Sequence, residues 1–218
     1  MHQVESVESV AIAVAEGPVA TAAARTRELI DLLVRLDPMD PIGAEVGERL
    51  APLVDLLEAH AGPAEDLAAA AGHGEPGFID RSPVTGVTNP LAPPIRIETD
   101  DDGRSSARVR LGLPFQGPSG RVHGGFVAVL LDHVMGTAVR PSATGQMFTR
   151  TLTVDYLRAT PLFEDVVVSA AVERTDGRKH WVSGRIETSQ GVAVRAHGLW
   201  LEPRATGRSA IDVSPRPA

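Results

Sequence analysis

The run Phe115-Gln116-Gly117-Pro118-Ser119-Gly120-Arg121-Val122-His123-Gly124-Gly125 leads into an apolar stretch that carries an aspartate at Asp132. A helix that begins at the glycine pair starts with unpaired amides and a partial positive charge. Glycine has no Cβ to obstruct an approaching carbonyl, so the Gly124 and Gly125 N–H groups suit an oxygen on which negative charge develops. A plain turn is the alternative. Aspartate is a poor mid-helix residue, and the neighbours Leu130, Leu131 and Val134 are apolar. An ionised carboxylate there attacks a carbonyl carbon or deprotonates a water that does. A loop cap or an ion pair with Arg150 is the competing role.

Around this pair, Thr149 either hydrogen-bonds Asp132 or the attacking water, or is an ordinary strand threonine. His123 orients the loop or caps the helix through its ring. Gln116 bonds a substrate or holds the loop closed. His133 follows the acid but points about 100° away around the helix, which argues against an Asp-His relay. Gly124 and Asp132 are eight residues apart, roughly 12 Å along a helix axis, too far for one carbonyl to touch both. Two antiparallel copies of the helix across a two-fold axis bring Gly124 of one chain near Asp132 of the other. The expectation is an obligate homodimer with two composite sites.

The elements that must position these residues are legible as periodicities. Leu29, Leu32, Leu33 and Leu36 recur at helical spacing over 21–36. A second helix is expected over 44–60, with Pro52 as a break or restart, and a third over 64–71. Gly72 to Pro94 is rich in Gly and Pro and reads as a long loop or linker. Alternation at Ile95, Ile97, Ala107, Val109 and Leu111 suggests a hairpin turned at Asp101-Asp102-Gly103. Residues 125–140 form a helix apolar over most of its circumference, which must be wrapped. Strands follow over 148–157, 162–173, 180–188 and 192–201, the last three joined by tight turns. The fold class is α+β, an antiparallel sheet wrapped around a central helix, with an N-terminal helical extension at 1–72, the main domain at 73–202 and a disordered tail at 203–218.

Composition narrows the function classes. A chain of 218 residues is long enough for one substantial core. It has no cysteine, which excludes disulfides, thiolate nucleophiles and cysteine-based zinc sites, and fits a reducing compartment. The net charge of −7 argues against a nucleic-acid partner. Met1 to Glu16 lacks the basic flank and length of a signal peptide or membrane span, so the expectation is a cytoplasmic protein with no membrane partner and no metal.

With its His-Gly-Gly at the helix start, the chain resembles the hotdog-fold acyl-CoA thioesterases of the PaaI-like and THEM-type branch, over about Ser82 to Leu201. Family members carry an acidic residue nine positions after the His, here Asp132 after His123. Thr149 and Leu152-Thr153-Val154-Asp155-Tyr156-Leu157-Arg158 match the next strand of the pattern. Where some relatives place an Asn before the His, this chain has Gln116 and Gly117. The helices before Gly72 lie outside the resemblance.

The resemblance implies hydrolysis of an acyl-CoA to free acid and CoA, with Asp132 as nucleophile or general base and Gly124/Gly125 polarising the carbonyl. It implies CoA as part of the substrate with no separate cofactor, and dimers that often pair into tetramers. Arg121, Arg158, Arg178 and Lys179, with Gln116, are candidates to hold CoA, each alternatively a solvated surface residue. Val127, Leu131, Leu91 and Phe78 are candidates for the acyl pocket. The competing class is a non-catalytic acyl-CoA-binding or regulatory hotdog module. Its DNA-binding form is disfavoured because the N-terminal helices hold only Arg25, Arg27, Arg35 and Arg49 as cations.

Overall fold

Alternating strands separated by a single apolar helix fold as that pattern requires. The computed structural model describes residues 17–71, 79–93, 95–118, 120–140 and 147–203. The chain divides into two compact units, one holding the chain up to Arg96 with Leu111–Gln116, the other Ile97–Arg110 with the chain from Gly117 onward.

In the first unit, α1 spans Pro18–Leu33, with Gly17 at its N-cap and Pro18 at the first helical position, where a missing N–H costs nothing. α2 spans Ile42–Glu58 and α3 Ala64–Ala71. Pro52 lies inside α2 without ending it. No residue of α2 is buried, so the carbonyl that Pro52 leaves unpaired is open to water. Within the Gly/Pro-rich segment a short 3₁₀ turn spans Ile79–Arg81. Ser82 Oγ accepts from the Val84 and Thr85 amides, and Arg27 of α1 donates to the Asn89 carbonyl at 2.9 Å. A second 3₁₀ turn, Leu113–Phe115, belongs to this unit.

The second unit is a six-stranded antiparallel sheet with α4, Gly124–Val139. Its strands are β1 Ile97–Thr99, β2 Ser105–Arg110, β3 Phe148–Tyr156, β4 Asp165–Asp176, β5 Lys179–Thr188 and β6 Gly191–Leu201, in the order β1-β2-β4-β5-β6-β3. The β1–β2 turn closes where Asp100 Oδ1 accepts from the Arg104 amide, with Gly103 at φ 76. The β4–β5 and β5–β6 turns use the positive φ of Gly177 and Gly191. β4 begins three residues later than the apolar run at Leu162, because Phe163 sits at φ 61 and interrupts the extended chain.

α4 touches every strand. Its Val127, Leu130, Leu131, Val134, Met135, Ala138 and Val139 are buried against one face of the sheet, with Val168, Val182, Ile186, Val194 and Trp200. Each such large side chain contributes roughly 1.5–3 kcal/mol by leaving water. The approach is close at Gly184, where a Cβ would lie 2.7 Å from Met135 Sδ. This is the α+β, sheet-around-helix arrangement expected of a hotdog fold. Residues 1–16 and 204–218, which include most of the expected tail, lie outside the described residues, as does Phe78.

Candidate functional site

The loop before α4 is folded tightly on its own end. The Gly117 amide donates to the Arg121 carbonyl at 2.9 Å, and a Cβ on Gly117 would meet the His123 Cα at 2.8 Å, so only glycine fits there. His123 is the N-cap of α4, and its Nδ1 accepts from the Gly125 amide at 3.0 Å. That bond makes Nδ1 the unprotonated ring nitrogen. It also separates the two glycines that the sequence treats alike. The Gly125 amide is engaged, whereas the Gly124 amide has no acceptor among the described residues. The Gly124 carbonyl accepts from Tyr156 Oη at 2.8 Å.

Two turns along α4, Asp132 is half-buried and its Oδ1 accepts from Thr149 Oγ1 at 2.8 Å. No ion pair joins it to Arg150 among the described residues. Thr149 reaches the helix through a bulge. β3 pairs Thr149 with Trp200 and Thr151 with Leu199, leaving Arg150 as an extra residue. Without it, strict alternation would turn Thr149 and Tyr156 to opposite faces, since they are an odd number of residues apart. With it, both face α4.

β3 therefore runs antiparallel to α4, tied at one end to Gly124 and at the other to Asp132. The two ties hold the amide and the carboxylate at separate places on one helix, about 12 Å apart by its rise. His133, beside the acid, has its pKa lowered from 6.5 by burial first and by the Arg140 charge second, with Asp132 opposing both.

The candidate CoA-binding cations fall into two groups. Arg121 is exposed beside Pro161, and Arg158 donates through Nη1 to the Gln190 carbonyl at the β5–β6 turn. Arg178 donates through Nη1 to the Glu202 carbonyl, with Lys179 exposed next to it at the β4–β5 turn. These turns cap opposite ends of β5, about 30 Å apart at strand rise, so within one chain the four do not form a single phosphate cradle. Gln116 is exposed after the Leu113–Phe115 turn. Val127 and Leu131 are in the closed core between helix and sheet rather than on an open lining, and Leu91 is exposed.

Sequence reasoning assigned no role to Tyr156 beyond its place in the strand pattern. Its aromatic hydroxyl at the end of a strand was a signal available for that. It also missed the contact of buried His180 Nε2 with Glu202 Oε1 at 3.5 Å. Among the described residues there is no group of three or more His, Asp or Glu that would hold a metal ion, and no helix is long and apolar enough to cross a membrane.

Comparison with known proteins places these features among relatives. The Thioesterase superfamily family model matches residues 119–194, which include the glycine pair, Asp132 and Thr149. A solved structure described as a thioesterase superfamily protein is 36% identical, with a TM-score of 0.75 over 86% of this chain and 92% of that one. That coverage is more than residues 73–218 could supply. The N-terminal helices, outside the resemblance in sequence, are thus shared at least in part with that structure. The acyl-coenzyme A thioesterase THEM4 of Rattus norvegicus is 36% identical over 78 residues, 36% of this chain and 33% of the relative. THEM4 of Xenopus laevis is 37% identical over 77 residues, 35% of this chain and 34% of the relative. The matched region thus spans about a third of the length of these curated relatives.

Proposed function

Because the chain belongs to the thioesterase superfamily, we propose that it is an acyl-CoA thioesterase whose sites are shared between two copies of the chain. The observation that carries this reading is the pair of ties on α4: an unengaged amide at Gly124 and, two turns away, a carboxylate held by Thr149. The Gly124 N–H accepts the developing negative charge on the thioester oxygen. Asp132 either takes a proton from the water that attacks the carbonyl carbon or attacks that carbon itself, forming an anhydride that water then opens. In both routes the C–S bond breaks, and the products are the carboxylic acid and the CoA thiol.

The homodimer is supported by β3, an edge strand of nine residues that among the described residues is bonded to β6 alone, with Phe148 and Tyr156 exposed. A long edge with apolar side chains is a template for pairing, and a two-fold axis along it sets two α4 helices antiparallel. The axis would also bring Arg121 and Arg158, at the Gly124 end, toward Arg178 and Lys179, at the Asp132 end of the partner. That joins the cation pairs separated within one chain. Pairing of two such dimers into a tetramer, and a cytoplasmic location consistent with the absence of cysteine, belong to the same reading. CoA enters as part of the substrate, with no separate cofactor.

The test is thiol release from a panel of aromatic and aliphatic acyl-CoAs, wild type beside Asp132→Asn. Turnover by wild type and a loss of about 10³-fold in kcat with binding retained is the expected result. Saturable acyl-CoA binding without turnover by wild type would instead select a ligand-binding module.

A further inference from the structure

The face of the sheet turned away from α4 carries a second built feature. Strand register there sets small side chains in the middle and cations around them: Ala171 lies across from Ser183 and Ser183 from His197, while Ser169 lies across from Arg185 and Arg185 from Arg195. Arg104 completes the rim of a trough of about 420 Å³ whose lining contains no carboxylate. The floor is thin at Gly184, which has no side chain and backs directly onto Met135 and Leu131 of α4. The trough is thus separated by the sheet from the face that carries Gly124 and Asp132.

Its charges are not balanced within the unit. Arg185 and Arg195 are directly opposed, with Cβ atoms about 5 Å apart at the usual spacing, an arrangement that is destabilising without a counter-ion. Arg185 Nε is held by Glu187 at 3.1 Å, which leaves the outer edge of its guanidinium unpaired. Arg195 is in register with Asp155 on its other side, yet neither it nor Arg104 forms an ion pair among the described residues. The Ser169 and Ser183 hydroxyls likewise have no hydrogen-bond partner among those residues. A chain of net charge −7 therefore keeps three guanidinium groups and two free hydroxyls converging on one concavity.

We propose that this trough is a binding site for a phosphate-bearing small molecule, with the phosphate between Arg185 and Arg195 and hydroxyl donors from Ser169 and Ser183. A doubly charged tetrahedral anion answers two facing forks better than a single carboxylate does, and the volume leaves room for the group that the phosphate is attached to.

The measurement is calorimetric titration of the full-length chain with inorganic phosphate, and separately with adenosine 3′,5′-bisphosphate, at ionic strength fixed with sodium chloride. Saturable binding of one phosphate per chain, weakened at least about tenfold by Arg195→Gln and by Arg185→Gln with thioester turnover unchanged, is the expected result. Both arginines are exposed and each variant relieves a like-charge pair, so the variants should melt no lower than wild type in chloride. If the bisphosphate binds more tightly than phosphate with the same dependence on Arg195, the site takes a CoA-type nucleotide. If the two bind alike, the phosphate alone is read. Heats no greater than those of chloride, or equal affinity in wild type and variants, would overturn the proposal. So would a change in oligomeric mass on Arg195→Gln without phosphate binding, which would make this face a contact between copies of the chain.

Discussion

The two ends of α4 are built differently although both are tied to β3. At the Gly124 end the engaged groups are backbone, with Tyr156 on the carbonyl and His123 on the next amide. At the Asp132 end a single side-chain pair, Asp132 with Thr149, does the work. The first end offers a donor that no side-chain change removes, since every residue but proline has an amide. The second depends on one carboxylate and one hydroxyl. Neither end alone holds both an oxyanion donor and an acid. The composite-site reading therefore stands on how two copies bring unlike ends together.

The largest effect that tests this difference comes from removing the backbone donor. Gly124→Pro deletes the N–H at the first position of α4, where proline is tolerated. The extended His123 (φ −61, ψ 132) already suits a following proline. A drop of about 10²–10³-fold in kcat with little change in Tm is expected. Mixing Gly124→Pro with Asp132→Asn chains sharpens the comparison, because each heterodimer then regains one site with both ends intact. Recovery to about half the wild-type turnover per heterodimer is expected, and no recovery would put both ends of a site in one chain.

Next in size is Thr149→Val, which removes a hydrogen bond to a carboxylate, worth about 1.5–3 kcal/mol. It should lower kcat by roughly 10-fold or more, with KM less affected. Tyr156→Phe removes a neutral bond to the Gly124 carbonyl and should cost about 1 kcal/mol of stability and only a few-fold in kcat, measured by thermal melting and thiol release.

The smallest effect concerns His133, which follows Asp132 on α4. Its folded pKa is depressed below 6.5, chiefly by burial. The folded chain therefore holds that proton less tightly than the unfolded chain does. The associated stability is present above pH 6.5 and is lost as pH falls below it toward the folded value. His133→Gln should flatten the fall in Tm between about pH 7 and about pH 5 relative to wild type.

Much of this was readable in residues alone. The apolar circumference of 125–140 required a wrapped helix, and α4 is buried along most of its length. The alternation after Phe148 marked β3, β5 and β6 to within a residue at each end. Pro52 was a poor guide, because α2 runs on through it with no residue buried, which leaves the freed carbonyl open to water. Leu162 was a poor one too, because Phe163 leaves the extended region for a reason local apolarity does not encode.

The residue types that could handle a carbonyl, their spacing and the distance between them were determined by sequence, because helix rise and side-chain chemistry are local properties. Three things were decided only by the tertiary structure. The strand order leaves β3 as an edge beside β6. The bulge at Arg150 turns Thr149 toward Asp132. The β5–β6 register sets Arg185 against Arg195. The first two depend on which distant strand a segment pairs with, and partners that lie tens of residues apart in the chain leave no local period from which such pairing can be read. The third follows from the register shift between Ile186 and Glu187, an irregularity within a hairpin that strict alternation does not announce.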